Sequence, residues 1–423
     1  MKQTAAQGFP ANPASPASPG GAGRPPKLAA RMSMVRPNAI RELLRHGDDP
    51  SIISFGGGYP DPALFPVEEL AAVYADLLTA EHAGALQYTA SVGNPRLREQ
   101  IAARLSADGM PAGADDVLVV QGGQQGLDLV AKMLLDPGDI VLTENPTFLG
   151  ALIAFNPYQP RYVAVPLDDQ GLDTAALEQL LTDWPAGERR PAFLYTVPEF
   201  QNPTGVSMSL PRRQHLVDLA GRFGFVVLED TPYRELRYDG ERLPTLRSLA
   251  GDARVIHLGS FSKILAPSMR LGWVLAESET LAALTLLKTA TDTQCSTLNM
   301  AATAAYLDRF DIDAHIGRIC DSYRRKRDHA LVQIERWFPA AVHCTRSEGG
   351  LFTWLTFPEG FDAARFMAAR MLPEAKVAFV PGATFFPVHE QPNHARMSFS
   401  AQREDVLSAG LERLGRLLAD ELS

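Results

Sequence analysis

The sequence predicts an α/β protein whose larger part is a mostly parallel seven-stranded sheet with helices on both faces. From about Asp115 to Ala276, short apolar runs alternate with longer amphipathic ones. The short runs are almost uninterrupted by polar residues, as expected of strands that are buried on both faces. Beyond about residue 310, short strands mixed with helices predict a second, smaller α+β domain.

The predicted elements follow from this alternation. The seven predicted strands of the sheet are Val117–Val120, Ile140–Thr143, Tyr162–Val165, Phe193–Thr196, Phe225–Leu228, Val255–Leu258 and Leu271–Leu275. Amphipathic helices are predicted between strands, for example at Gln124–Leu135, Leu172–Leu181 and Arg212–Phe223. A long helical region is predicted over Thr280–Phe310. The smaller domain is predicted to contain strands at Val342–Thr345, Leu351–Leu355, Val377–Val380 and Arg396–Ser400.

The chain is divided into four segments by composition. Residues 1–30 are rich in Pro, Ala, Gly and Ser and have almost no large apolar side chains, so a disordered tail is predicted. Residues 31–64 are expected to join the smaller domain. Residues 65–310 form the predicted large domain and 311–423 the small C-terminal domain.

Composition excludes several classes of protein. A net charge of −9 over 423 residues argues against a nucleic-acid binder. The three cysteines contain no C-x-x-C pair, which predicts neither a disulfide framework nor a metal site and fits a cytoplasmic location. Since no run of about 18 apolar residues occurs, no membrane span is predicted.

The segment 259–273 carries the strongest chemical signal. Lys263 follows a strand and lies beside Ser260 and Ser262, and Arg270 comes seven residues later. A lysine among hydroxyls and a basic partner suits an amine that forms a Schiff base beside a bound phosphate. A solvated loop lysine is the alternative for this segment taken alone.

Three further segments follow other strands. Gln121–Leu129 opens a helix with Gly-Gly-Gln-Gln-Gly, which predicts a phosphate cradle or a plain tight turn. Asn202 precedes a proline and is directed toward a ligand or belongs to a simple turn. Asp230 ends a strand and precedes Tyr233 by three residues. It is expected either to pair with a protonated ring nitrogen of a ligand or to cap a helix.

Together these four segments resemble fold-type I pyridoxal-phosphate enzymes, specifically class I/II aminotransferases of the 2-aminoadipate and kynurenine aminotransferase-like group. The resemblance extends from about Met32 to the C-terminus. It implies that Lys263 forms the internal aldimine with pyridoxal 5′-phosphate, that Asp230 holds the ring nitrogen, and that Asn202 and Tyr233 bond the phenolic oxygen. It implies a phosphate site made by the backbone at Gly123 and Gln124 and by Ser260, Ser262 and Arg270. Phe148 matches the aromatic residue that stacks on the ring.

The resemblance also implies how substrate and partner bind. Arg396 matches the arginine that clamps the substrate α-carboxylate, near Asn202 and the backbone of Gly57 and Gly58. Tyr88 matches a tyrosine that reaches the cofactor phosphate of a partner subunit, which implies a homodimer with shared active sites. The sequence departs from the family pattern at four positions. Gly123 stands where serine is common, Ile264 and Met269 replace smaller or polar residues, and Glu199 replaces asparagine or histidine. These departures affect the expected substrate preference more than the expected cofactor.

The implied function is an aminotransferase that moves the amino group of an L-α-amino acid to a 2-oxo acid, with 2-oxoglutarate as the expected acceptor. The expected donor is 2-aminoadipate, an aromatic amino acid or a branched aliphatic amino acid. An acidic side chain would need a second cation such as Arg36 or Arg41. A hydrophobic donor side chain would contact Phe55, Tyr59 and Phe386. The sequence does not distinguish between an acidic and a hydrophobic donor. The alternative is a pyridoxal-phosphate-dependent lyase or decarboxylase.

Overall fold

The structure is a computed structural model that describes residues 27–35 and 49–423. Residues 1–26 of the predicted disordered tail lie outside the described residues, and so do Arg36 and Arg41. In chain order the strands are β1 (Ile53–Ser54), β2 (Val117–Val120), β3 (Ile140–Asn145), β4 (Arg161–Asp168), β5 (Gly171–Leu172), β6 (Pro191–Thr196), β7 (Val226–Asp230), β8 (Val255–Ser260), β9 (Gly272–Leu275), β10 (His343–Cys344), β11 (Phe352–Thr356), β12 (Val377–Ala378), β13 (Val380–Pro381) and β14 (His394–Ser398).

The helices flank these strands in alternation through the first two thirds of the chain. They are α1 (Val67–Leu77), α2 (Pro95–Ala107), α3 (Gly123–Leu134), α4 (Leu149–Phe155), α5 (Thr174–Thr182), α6 (Leu210–Phe223), α7 (Leu246–Leu249), α8 (Ser278–Asp292), α9 (Thr297–Arg309), α10 (Ile312–Trp337), α11 (Ala363–Phe366, continued as a π-helix over Met367–Ala375) and α12 (Glu404–Glu421). The long helical region predicted over 280–310 is divided into α8 and α9 by Thr293, whose φ of +63° ends the first helix. Among the described residues, no helix combines the length and apolar character needed to cross a bilayer.

The large sheet has eight strands in the order β2-β9-β8-β7-β6-β3-β4-β5. The pairs β3–β4, β3–β6, β6–β7 and β7–β8 are parallel, whereas β2–β9, β8–β9 and β4–β5 are antiparallel. The mostly parallel α/β fold is therefore confirmed, and each of the seven predicted strands is present. The predicted count was one too low because β5, a two-residue strand paired with the end of β4, is too short to produce an apolar pattern.

The direction of the central strands positions the candidate site residues. Strands β6, β7 and β8 are parallel, and β2 runs the same way because it and β8 are both antiparallel to β9. Their carboxyl ends meet at one edge of the sheet, where ligands of open α/β sheets bind. The segments that follow these ends carry Gly123, Asn202, Asp230 and Lys263.

The C-terminal part contains a four-stranded antiparallel sheet in the order β10-β11-β14-β13. Strand β1 pairs in parallel with β12, with Ile53 opposite Val377. This pairing brings residues 53 and 54 onto the C-terminal part. The predicted domain boundaries themselves stay predictions.

Candidate active site

A cavity of about 400 Å³ lies at the carboxyl edge of the large sheet. Thirteen of the predicted site residues line it, namely Gly57, Gly58, Gly123, Gln124, Phe148, Asn202, Asp230, Tyr233, Ser260, Ser262, Lys263, Arg270 and Arg396. The rest of its wall, apart from Gly56, is largely apolar or aromatic and consists of Tyr59, Pro60, Leu127, Val197, Pro232, Pro267 and Phe352. Tyr88 is 82% exposed and lies elsewhere on the surface, and Arg41 lies outside the described residues.

Lys263 enters the cavity from a tight turn at the end of β8. The side chain of Ser260 accepts a hydrogen bond from the Ser262 backbone at 3.1 Å and so begins this 3₁₀ turn. Lys263 Nζ donates to the carbonyl oxygen of Gly58 at 2.9 Å. Burial lowers the pKa of Lys263 to about 8, and the nearby charges of Arg396 and Arg270 act in the same direction. The amine therefore becomes neutral, and nucleophilic, at a lower pH than an ordinary lysine.

Asp230 is buried at the end of β7 and is held by a residue that sequence reasoning missed. The hydroxyl of Tyr195, on the adjacent strand β6, donates to Asp230 Oδ2 at 2.9 Å. Burial raises the pKa of Asp230 to about 6, while the Tyr195 hydrogen bond and the charge of His257 oppose this rise. The sequence feature that could have identified Tyr195 is its hydroxyl, which occurs within the apolar run 193–196. That run forms the strand next to the one that ends in Asp230.

Asn202 connects Tyr233 with Arg396. Its amide nitrogen donates to Tyr233 Oη at 3.2 Å, and its oxygen accepts from Arg396 Nη1 at 2.8 Å. Burial raises the pKa of Tyr233 to about 12, so this phenol stays protonated near neutral pH.

Arg396 is a buried cation that forms no ion pair with a carboxylate among the described residues. Its Nη2 donates to the carbonyl oxygen of Gly56 at 2.7 Å, while Nε finds no partner within the described part of the chain. The guanidinium lies 4.3 Å from the centre of the Phe352 ring. Burial lowers the pKa of Arg396 to about 10. A buried cation with an unused donor is suited to an anion, and a carboxylate matches its planar geometry.

One end of the cavity is formed by the start of α3 and by Arg270. Gly122 has a φ of +71°, and a Cβ there would lie 2.9 Å from Arg270 Nη2. The backbone of Arg270 also has a left-handed conformation, with a φ of +53°. Its Nη2 donates to the Gln121 carbonyl at 3.2 Å. A helix N-terminus, a guanidinium and the hydroxyls of Ser260 and Ser262 together suit a phosphate.

Phe148 and Gln124 occupy the wall beside this end of the cavity. Gln124 Nε2 donates to the Gly150 carbonyl at 2.8 Å. A Cβ on Gly150 would come within 2.3 Å of the Phe148 ring and 3.1 Å of Gln124 Oε1. A side chain at position 150 would therefore displace the Phe148 ring and would push the Gln124 amide by a few tenths of an ångström.

Several candidate substrate residues do not line the cavity. Phe55 is 1% exposed and faces a small apolar space beside α12, and Phe386 packs on Trp354 and His394. Of the three predicted hydrophobic contacts, only Tyr59 lies at the cavity wall. Phe55 precedes a glycine and Phe386 follows a phenylalanine in the sequence, and such neighbours do not reveal the direction of a side chain.

The departures from the expected family pattern also lie away from the cavity, apart from Gly123. Glu199 forms buried ion pairs with Arg213 and Arg234. Ile264 and Met269 are buried hydrophobic residues of the core and are not part of the cavity wall.

Comparison with known proteins identifies the family to which this chain belongs. A family model described as "Aminotransferase class I and II" matches residues 52–414. A 2-aminoadipate transaminase of Thermus thermophilus is 38% identical over 91% of this chain and 94% of that protein. Aromatic-amino-acid aminotransferase 1 of Thermococcus litoralis is 36% identical over 92% of this chain and 93% of that protein.

A solved structure agrees in fold as well as in sequence. It is an alpha-aminoadipate aminotransferase of Thermus thermophilus complexed with N-(5′-phosphopyridoxyl)-L-leucine, with a TM-score of 0.86 and 37% identity. The match covers 93% of this chain and 98% of that one. The chain belongs to the class I and II aminotransferases and is an enzyme of that family.

Proposed function

We propose that the protein binds pyridoxal 5′-phosphate in the cavity and transfers the amino group of an L-α-amino acid to a 2-oxo acid, with 2-oxoglutarate as the acceptor. The proposed donors are 2-aminoadipate, aromatic and branched aliphatic amino acids. The names of the relatives from Thermus thermophilus and Thermococcus litoralis support the first two. The family does not favour the lyase or decarboxylase alternative.

The single observation that carries this proposal is the position of two cationic groups on one cavity. Lys263 and Arg396 both line the cavity. They donate to carbonyl oxygens two residues apart in the chain, Lys263 Nζ to Gly58 at 2.9 Å and Arg396 Nη2 to Gly56 at 2.7 Å. The first is an amine that is available to an aldehyde, and the second is a carboxylate site. An α-amino acid requires both groups within a few ångströms of its Cα.

The residues of the cavity fit the cofactor on chemical grounds. Arg270, the start of α3 and two serine hydroxyls suit its phosphate, and Asp230 offers an anion for its ring nitrogen. When bound, pyridoxal phosphate supplies an electron sink that makes the Cα–H bond of an amino acid acidic. We propose that Asn202 and Tyr233 bind the ring oxygen and that Phe148 covers one face of the ring.

We propose that Lys263 carries the cofactor and then moves the proton. A neutral Nζ is required to accept a proton from the donor Cα, and the lowered pKa favours that neutral form. Arg396 would hold the α-carboxylate by two parallel hydrogen bonds and would so determine which bond at Cα is broken. The carbonyl of Gly58, which now accepts from Nζ, would hold the amine between transfers.

The cavity wall bears on the choice of donor. Tyr59, Leu127 and Phe352 give it an apolar and aromatic surface, which supports aromatic and branched aliphatic side chains. An acidic side chain would need a second cation, for which Arg36 and Arg41 stay the candidates. Both lie outside the described residues.

We further propose a homodimer in which each subunit supplies Tyr88 to the site of the other. Tyr88 is 82% exposed, and the neighbouring Leu86 is 67% exposed. Exposed large apolar side chains that lie together are typical of an interaction surface. The cytoplasmic location stays a prediction.

The proposal is tested by product analysis with the purified enzyme and 2-oxoglutarate. L-2-aminoadipate, an aromatic amino acid and leucine are offered in turn as donors, and the Lys263→Ala variant is the control. We expect glutamate and the donor-derived oxo acid in equal amounts, and neither with Lys263→Ala. Release of ammonia or carbon dioxide without glutamate would contradict transamination.

A further inference from the structure

We propose that Tyr195 is a positioning residue for Asp230, whose hydroxyl holds the carboxylate in place and keeps the shared proton on the ring nitrogen of the cofactor. This inference rests on the proposed function, because it assigns a partner to the residue that would bind pyridoxal phosphate. It concerns a residue of β6 that lies behind the cavity wall and that neither the ring nor the substrate would touch.

Within the described part of the chain, the Tyr195 hydroxyl has one hydrogen-bond partner, the Asp230 carboxylate. The side chain is fully buried, and its ring packs edge-on against Phe155 with centroids 5.6 Å apart. Its hydroxyl donates to Asp230 Oδ2 at 2.9 Å. Tyr195 does not line the cavity whereas Asp230 does, so the hydroxyl reaches the carboxylate from behind the cavity wall. The other carboxylate oxygen is thus left for a group inside the cavity.

The charges around Asp230 make this hydrogen bond consequential. Among the described residues, the titratable groups that interact with Asp230 are Tyr195 on β6, His257 on β8, Tyr233 after β7 and Glu144 on β3. Burial alone makes the carboxylate more basic, and Glu144 adds a second acidic group nearby. A more basic carboxylate would take the proton from a ring nitrogen, which would leave the ring neutral and a weaker electron sink.

Glu144 does not replace Tyr195 in this role. Its carboxylate accepts from Thr196 Oγ1 at 2.5 Å, from the Val197 backbone at 3.1 Å and from Gln201 Nε2 at 2.9 Å. It therefore holds the loop that leads to Asn202. His257 Nδ1 is engaged by Glu229 at 3.0 Å. Of the four groups, Tyr195 is the one with a hydrogen bond to Asp230.

The test is the Tyr195→Phe variant, which removes the hydroxyl and keeps the ring. Wild type and variant are loaded with pyridoxal phosphate labelled with ¹⁵N in its ring, and the ¹⁵N chemical shift is measured from about pH 6 to about pH 9, where the cofactor-bound enzyme is expected to be active. We expect the wild-type shift to match a protonated nitrogen and the variant shift to move toward the unprotonated value. We also expect kcat to fall about tenfold while the donor KM changes less than about twofold, since Arg396 is untouched.

Tyr162→Phe is the matched control. It removes a hydroxyl from β4 of the same sheet, where Tyr162 donates to Asn156 Oδ1 at 2.7 Å away from the cavity. We expect this variant to keep the wild-type ¹⁵N shift and kcat. Site-specific replacement of Tyr195 by 3-fluorotyrosine, which retains the ring and makes the hydroxyl a stronger donor, tests the same bond should Tyr195→Phe fold poorly. Its ¹⁵N shift should match the protonated value at least as closely as the wild-type shift does.

The outcomes separate this inference from the proposed function. A wild-type enzyme that binds no pyridoxal phosphate would contradict the proposed function. A protonated nitrogen in wild type and an identical shift in Tyr195→Phe would overturn the role of Tyr195 and leave the proposed function standing. An equal shift change in Tyr162→Phe would also overturn it, because the effect would then not depend on the bond to Asp230.

Discussion

Arg396 Nη1 donates to Asn202 Oδ1 at 2.8 Å, and this contact fixes the orientation of the Asn202 amide. With its oxygen toward Arg396, the amide must present its nitrogen to Tyr233 Oη, which lies 3.2 Å away. Tyr233 then accepts one hydrogen bond and keeps its own proton to donate. One amide thus links the proposed carboxylate site to the proposed ring-oxygen site.

Replacement of Arg396 by lysine should impair every amino-acid donor. A single ammonium cannot reach both Asn202 Oδ1 and the Gly56 carbonyl in the planar geometry that suits a carboxylate. We expect kcat/KM to fall about 10- to 100-fold for all donors, with the affinity for pyridoxal phosphate within about twofold of wild type. The control is Arg413→Lys, since Arg413 donates to the Ala375 carbonyl away from the cavity. A loss confined to one donor would mean that another group holds the α-carboxylate.

The pH dependence of cofactor uptake should reflect the lowered pKa of Lys263. Its value of about 8 means that the amine of the apoenzyme is largely neutral above that pH, whereas an ordinary lysine stays charged. We expect the rate of pyridoxal phosphate uptake by apoenzyme to rise through about pH 8 and then level off. Rapid-mixing absorbance measurements provide the rate. A rate that still increases steeply above about pH 10, the range of an ordinary lysine, would be inconsistent with a desolvated amine.

Two adjacent glycines should respond in opposite ways to serine. A Cβ on Gly123 would meet no atom within 4 Å, and its backbone does not require positive φ. Gly123→Ser should therefore preserve the fold and tighten pyridoxal phosphate binding roughly a few-fold through an added hydroxyl. Gly122→Ser is strained by a φ of +71° and by contact with Arg270, so it should weaken binding. Equilibrium titration of both apoenzymes measures the effect, and weaker binding by Gly123→Ser would contradict the proposed phosphate cradle.

Shared active sites predict rescue between two impaired variants. Lys263→Ala lacks the amine and Tyr88→Ala lacks the tyrosine proposed to serve the partner. In a mixed dimer, the Lys263 of one chain would meet the Tyr88 of the other and rebuild one site. After unfolding and refolding together, we expect about a quarter of wild-type activity. Activity that only averages those of the two separate variants would show that Tyr88 does not act across a dimer.

The sequence predicted the placement of those candidate residues that follow strand ends. Lys263, Asp230 and Asn202 are polar residues placed after apolar runs, and parallel strands bring such positions to one edge. Arg396 was placed by resemblance, since its own strand belongs to the C-terminal sheet. These positions come together in space because of the order of the strands in the sheet. Local sequence patterns do not specify that order.

The parts that sequence reasoning missed depend on side-chain direction. Tyr195 looks like one more aromatic residue of an apolar strand until the pairing of β6 with β7 sets it beside Asp230. Phe55 was expected to contact a hydrophobic donor, yet its side chain is buried in the core and does not line the cavity. Glu199 looked like a specificity residue, and two buried arginines give it a role in holding the fold.

The most direct test of the proposed function is the visible absorption of the purified holoenzyme during one half-reaction. L-2-aminoadipate, or an aromatic donor, is added without any acceptor, and 2-oxoglutarate is added afterwards. We expect the absorption of the bound cofactor to be lost as one equivalent of oxo acid appears, and to return when 2-oxoglutarate is added. A spectrum that is unchanged by every donor, or that does not recover with the acceptor, would contradict amino-group transfer through Lys263.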